Sequence, residues 1–243
     1  GVISRQGGET IWLDLGKEDQ YLARVNWLPD GRLAYQLENR KQTELAFYVF
    51  NLVDRSASLL FKETSQVWVN LHDFFHPMKN NYKGQTGCFL WASERSGFRH
   101  LYLMDGNGIP IRALTQGEWM VDAIAGVDED HQQVYFTATK DSPLESHLYV
   151  TSFEGGEARR ITKEAGTHQV VIDHAFQFFV DTFQSIDHAP RQALCSLKDG
   201  SQKAVLFENN DPRLKNLHLE PPKLVQLHNR HGDMLFGAIY KPA

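Results

Sequence analysis

Apolar positions in this chain come in short runs, each cut by a polar turn. Residues 89–108 show the pattern most clearly. Phe89-Leu90-Trp91-Ala92 stops at Ser93-Glu94-Arg95-Ser96 and Gly97, and His100-Leu101-Tyr102-Leu103-Met104 then ends at Asp105-Gly106. Two runs this short, parted by a polar turn that carries glycine, predict a β-hairpin.

The same grammar returns along the chain, and its spacing can be measured. One copy reads Arg32–Tyr35, Ala46–Phe50 and Ser58–Phe61. The next reads Cys88–Ala92, His100–Met104 and Ile111–Thr115. A third has Val134–Ala138, His147–Thr151 and Arg160–Thr162, and a fourth has Phe178–Thr182, Ala193–Leu197 and Ala204–Phe207. Equivalent positions Tyr48, Tyr102, Tyr149 and Cys195 lie 54, 47 and 46 residues apart. The polar segment Lys79–Thr86 accounts for the longer first interval. A period near 45, with three or four strands per unit, is the signature of propeller blades. The expected fold is therefore all-β, a β-propeller segment of about four blades.

Both ends depart from the repeat. Gly1–Leu15 reads as the tail of an earlier blade, with Ile11-Trp12-Leu13 as its last strand. After Pro221-Pro222, the runs Leu224–Leu227 and Leu235–Tyr240 flank the turn Asn229–Asp233 and predict a separate short hairpin. Residues 1–220 are thus assigned to blades and 221–243 to the start of something else.

Composition fits a packed β domain: 42% of the 243 residues are hydrophobic and 12% aromatic, with 15 Phe and 8 Tyr. A net charge of -5 gives no electrostatic footprint for nucleic acid. No window approaches the length of apolar sequence that spans a membrane, and Gly1–Gly8 has neither the basic start nor the apolar stretch of a signal peptide. Cys88 and Cys195 each sit inside an apolar run, and free buried thiols are the favoured expectation over a disulfide.

With the blades in place, their spelling becomes informative. Trp91-Ala92-Ser93-Glu94-Arg95-Ser96-Gly97-Phe98-Arg99-His100-Leu101-Tyr102 closely resembles the blade signature of dipeptidyl peptidase IV-type serine peptidases, within the prolyl oligopeptidase family. Trp68-Val69-Asn70-Leu71-His72-Asp73 resembles the loop before that blade, and Leu114–Trp119 the strand exit after it. Tyr135–Thr139, Ser142–Glu145 and His147-Leu148-Tyr149 are similar to the next blade of bacterial members, so the likeness covers most of residues 20–182. Gly232–Pro242 resembles the opening strands of the family's α/β-hydrolase domain. The resemblance implies that the chain is the second half of an eight-bladed propeller, followed by the truncated start of a hydrolase domain. The catalytic Ser, Asp and His would then lie downstream. The periplasm or cytoplasm of a bacterium are the compartments it implies.

Candidate chemistry within the chain is sparse. Nucleophilic serine catalysis needs a G-x-S-x-G elbow, and none is present. The family's paired glutamates, which take a substrate's amino terminus, have no counterpart, since no Glu-Glu pair occurs. Glu18-Asp19 and Asp128-Glu129-Asp130 read as solvated turns. His72 and His76 converge on a metal only if helical, which Phe74-Phe75 and Pro77 argue against; no metal or other cofactor is expected. The resemblance places His72, Asp73 and Phe74 on a loop facing the catalytic cavity, where they would line a substrate-side wall. Glu94, Arg95, Arg99 and His100 read as a structural turn between blades. Trp12, Trp27, Trp91 and Trp119 read as core filling.

These expectations combine into one function: a non-catalytic propeller that walls the cavity of a dipeptide-releasing serine exopeptidase and gates peptide access. Its partners would be a peptide substrate, the hydrolase domain of the same chain and a second copy, because a half-ring exposes faces and edges. Closure of four blades on themselves is the other outcome. The alternative function is a free-standing propeller that binds a protein partner.

Overall fold

The computed structural model describes residues 1–16, 19–213 and 220–241. Glu18 of one acidic pair and Pro242 of the terminal segment lie outside them. Within the described residues there are eighteen strands. β1 (Gln20–Trp27), β2 (Leu33–Asn39), β3 (Glu44–Asn51) and β4 (Ser56–Thr64) form one antiparallel sheet in that order. β5 (His76–Pro77), β6 (Phe89–Ser93), β7 (His100–Met104) and β8 (Pro110–Ala113) form a second. β9 (Val121–Asp128), β10 (Gln133–Ala138), β11 (His147–Ser152) and β12 (Gly155–Arg160) form a third, and β13 (Thr167–Ile172), β14 (Phe178–Gln184), β15 (Arg191–Ser196) and β16 (Gln202–Phe207) a fourth. β17 (Lys223–His228) and β18 (Met234–Ile239) make a separate hairpin. Four successive four-stranded meanders are the blade unit of a β-propeller, as the repeat predicts.

Each blade carries one more strand than its most apolar runs reveal. The extra strand is the first: β1, β5, β9 and β13. The last strand of the third copy is also displaced: it runs over Gly155–Arg160 rather than Arg160–Thr162. Ile11-Trp12-Leu13 forms no strand; it contributes a single antiparallel bridge between Val2 and Ile11. The alternation of that segment is still used, because Ile11, Leu13 and Leu15 pack on the first sheet while Trp12 stays 78% exposed.

The chain divides into two compact units, residues 1–121, 127–134 and 151–158, and residues 122–126, 135–150 and 159–243. In the first unit, opposite faces of β2 and β3 feed two cores. Leu33, Tyr35, Leu37 and Phe50 meet Val2, Ile11, Leu13 and Leu15 on one face. Ala34, Leu45, Phe47 and Val49 meet Phe89, Trp91 and Met104 of the second sheet on the other. Phe47 stacks on Phe61 at 5.1 Å and on Phe89 at 5.9 Å, and meets the edge of Trp91 at 5.5 Å. Burying such a ring is worth about 2–3 kcal/mol, so this aromatic cluster is the main bond between the first two blades. The second unit has its own core, including Tyr135, Leu148, Val150, Ile161, Phe179 and Cys195. Both cysteines are free and buried. No helix among the described residues is long and apolar enough to cross a membrane.

Two histidines repeat one device. His100 Nδ1 lies 3.0 Å from Thr115 Oγ1, and His147 Nδ1 lies 3.2 Å from Thr162 Oγ1. Each threonine oxygen also accepts the next backbone N–H, from Leu101 and Leu148 respectively. Both rings are buried, which pushes their basicity down.

Candidate functional site

In the first two sheets the turns fall at two ends. The loop 65–75 between β4 and β5 shares one end with the turn 94–99 between β6 and β7. The turn closes because Gly97, at φ 99°, adopts a conformation that a side chain would oppose, and its N–H reaches Glu94 O at 2.9 Å. Loop and turn line a cavity of about 270 Å³ that includes Trp68, Asn70, His72, Glu94 and Arg95.

Glu63, at the end of β4, organises this end. Its Oε1 accepts the Trp91 indole N–H at 3.0 Å and an Arg95 guanidinium N–H at 2.6 Å, and its Oε2 accepts the Ser93 hydroxyl at 2.9 Å. The Glu63 side chain is 14% exposed, so these are charge-assisted bonds in a largely dry setting. Arg95 also lies over the Tyr102 ring at 4.7 Å. Arg99 donates to Val121 O at 2.9 Å and covers the Phe74 ring at 5.2 Å. His100 spends its second nitrogen on Gly117 O at 2.9 Å. The charged residues of the turn are thus architectural, as their sequence predicts. Ser93 serves Glu63 and Arg95 through its hydroxyl.

His72, Asp73 and Phe74 occupy three different environments. His72 accepts the Phe74 N–H at Nδ1 (3.3 Å) and donates from Nε2 to Ala92 O (2.7 Å), with its ring 4.6 Å from Trp91. Burial pulls its pKa down to about 4. A neutral ring with both nitrogens engaged offers a flat surface rather than a base or a metal ligand. Asp73 is 82% exposed and pairs with Arg24 of β1 at 2.5 Å. Phe74 is buried and supports the loop from beneath. Beside them, Trp68 is 62% exposed and donates to Asn70 Oδ1, while Asn70 donates to Glu94 Oε2 at 2.8 Å. The cavity therefore presents an indole, an imidazole and carboxylates. It can bind and orient a ligand, and Ser93 there is bonded to a carboxylate and a guanidinium rather than to a histidine.

His76 lies away from His72 in function: its Nε2 is 3.4 Å from Glu129 Oε1. Among the described residues no group of three His, Cys, Asp or Glu side chains converges as a metal requires. The Asp128–Asp130 turn is not solvated as its composition suggests. Asp128 is 7% exposed and accepts the His131 N–H at 3.0 Å, while Glu129 accepts the Lys79 and Asn80 N–H groups at 2.9 and 2.7 Å. Trp12 and Trp27 are likewise surface residues, 78% and 55% exposed, whereas Trp91 is fully buried. Glu63 and Arg24 carry the site's ion pairs but lack any sequence signal, since their charged partners lie 32 and 49 residues away.

Comparison with known proteins agrees with this fold. Residues 1–190 match the model of the dipeptidyl peptidase IV (DPP IV) N-terminal region. Dipeptidyl peptidase 8 of Homo sapiens is 28% identical over 92% of this chain and 31% of its own length. Dipeptidyl peptidase 4 of Arthroderma otae is 28% identical over 83% of this chain and 26% of its own. The chain thus spans less than a third of the length of these relatives. The crystal structure of Porphyromonas gingivalis dipeptidyl peptidase 4 superposes with a TM-score of 0.83 over 95% of this chain and 32% of that one, at 21% identity, a likeness of fold. The chain belongs to the family of dipeptidyl peptidase IV N-terminal regions.

Proposed function

We propose that this chain is the non-catalytic propeller region of a dipeptidyl peptidase IV-like serine exopeptidase. The observation that carries the proposal is the family match over residues 1–190, joined to a sequence that holds no G-x-S-x-G elbow. In such an enzyme a hydrolase domain releases dipeptides from the amino terminus after Pro or Ala. The propeller walls the cavity and restricts entry to short peptides.

On this proposal His72 and Asp73 face the substrate and Phe74 holds them in place. The neutral His72 ring supplies an apolar and aromatic contact, and Asp73 an exposed carboxylate. Residues 221–243 open the hydrolase domain, and the exposure of Leu224, Leu227, Leu235 and Phe236 on β17 and β18 supports that assignment. A lone hairpin buries too little to be stable by itself. Two copies associate, for which the exposed Val205, Leu206 and Phe207 of β16 are a source of apolar area.

A fluorophosphonate probe, which labels activated serines, tests the assignment. The full product of the gene encoding this chain is expected to be labelled at a serine outside residues 1–243. Labelling within them, or a gene product with no G-x-S-x-G, would overturn it.

A further inference from the structure

We propose that a second cavity, at the end of the first two sheets opposite His72, binds the carboxy terminus of a peptide whose last side chain is apolar. The turns 28–32 and 105–109 and the loop 78–88 meet at this end and enclose about 790 Å³. That volume lies in the range of small-ligand sites. Leu60 and Phe75, both partly exposed, give the cavity apolar surface above the buried Phe47, Val49 and Phe89.

The mouth has a surplus of hydrogen-bond donors. Gly84, Thr86 and Gly87 line it, are exposed, and their N–H groups meet no protein acceptor among the described residues. The Lys79 side chain, also at the mouth, has no carboxylate partner among the described residues. The acids nearby are already engaged. Asp30 pairs with Arg32 at 2.8 Å, and Asp105 Oδ1 accepts the Asn107 and Ile109 N–H groups at 2.9 and 2.8 Å. A carboxylate is the group that a lysine and free backbone N–H groups recognise together, and backbone capture of a peptide's terminal carboxylate is a recurring mode.

The loop is held in place without a ligand. Glu129 ties down the Lys79 and Asn80 N–H groups, Tyr82 donates to Glu154 Oε1 at 2.8 Å, and Lys83 pairs with the same oxygen at 2.7 Å. Little ordering entropy is then lost on binding. No step here involves cleavage, so the inference stands apart from the peptidase proposal.

Fluorescence anisotropy of the full chain with a fluorescein-labelled hexapeptide, Gly-Ser-Gly-Ser-Gly-Phe, tests it. The free acid is expected to bind at least tenfold more tightly than its carboxy-terminal amide and than the same peptide ending in Ser. Lys79→Glu, at an exposed position that keeps its backbone N–H, should weaken the acid at least tenfold, and the charge-matched Lys41→Glu, at an exposed position outside the cavity, should leave it unchanged. Equal affinity for acid and amide, no binding of the acid, or an equal loss on Lys41→Glu and Lys79→Glu would overturn the proposal.

Discussion

Glu63 Oε1 lies 3.0 Å from the indole Nε1 of Trp91, so a carboxylate at the end of one sheet secures the central tryptophan of the next. The same carboxylate gathers Ser93 and Arg95, and its removal orphans three donors at once. Glu63→Ala should therefore cost about 2–3 kcal/mol in urea unfolding. It should also loosen the turn 94–99, seen as faster amide exchange there. A loss below about 0.5 kcal/mol would show that the aromatic stack alone joins the two blades.

His72 gives the fold a defined acid sensitivity. Its pKa falls from 6.5 to about 4 on folding because the ring is buried, so the unfolded chain binds the extra proton between those values. Stability contributed by the neutral ring is complete above pH 6.5, is lost as pH falls toward 4, and changes no further below it. The total is at most about 3 kcal/mol. His72→Gln should flatten this part of the stability–pH curve, leaving the smaller slopes from His100 and His147, which are shifted in the same direction.

Glu38 acts with the opposite sign. It is 1% exposed on β2, one carboxylate oxygen has no partner, and burial raises its pKa above the ordinary 4.5. The native state then holds a proton that the unfolded state gives up, so stability declines as pH rises above 4.5 through the folded value. Glu38→Gln should stabilise the protein at pH 7 by about 1 kcal/mol and remove that decline. Destabilisation at pH 7 would mean that the charged form is held by a partner.

Gly200 closes the turn between β15 and β16 at φ 71°, and a Cβ there would sit 2.1 Å from the carbonyl oxygen of Ile161. Both conformation and space exclude a side chain. Gly200→Ala should lower stability by about 2–4 kcal/mol, measured by thermal or urea unfolding. Gly156→Ala, with positive φ but open space around it, should cost less.

The central strands of the first three blades were legible because they are covered on both faces, and those of the fourth because they alternate. β6 and β7 are buried at every position and therefore read as unbroken apolar runs. The first strands were not. β1 leaves Tyr21, Leu22, Val25 and Trp27 exposed, and β5 is two residues long with a proline. Gly155-Gly156 reads as a turn yet opens β12, because the chain has already turned at Phe153-Glu154. At the site, local signals located the loop with Trp68 and His72 and the turn with Arg95. Long-range partners stayed hidden: Glu63 looks like one more exposed strand residue, and Glu129 like a solvated turn. What makes them structural is a neighbour tens of residues distant.

The most direct measurement is release of p-nitroaniline from Gly-Pro-p-nitroanilide by two proteins side by side, residues 1–243 alone and the full product of the gene. Turnover is expected only from the full product, and the proposed place of Asp73 at the entrance, away from bond breaking, calls for a several-fold higher KM and a nearly unchanged kcat in its Asp73→Ala variant. Turnover by residues 1–243 alone, or a full product that cleaves nothing, would contradict it.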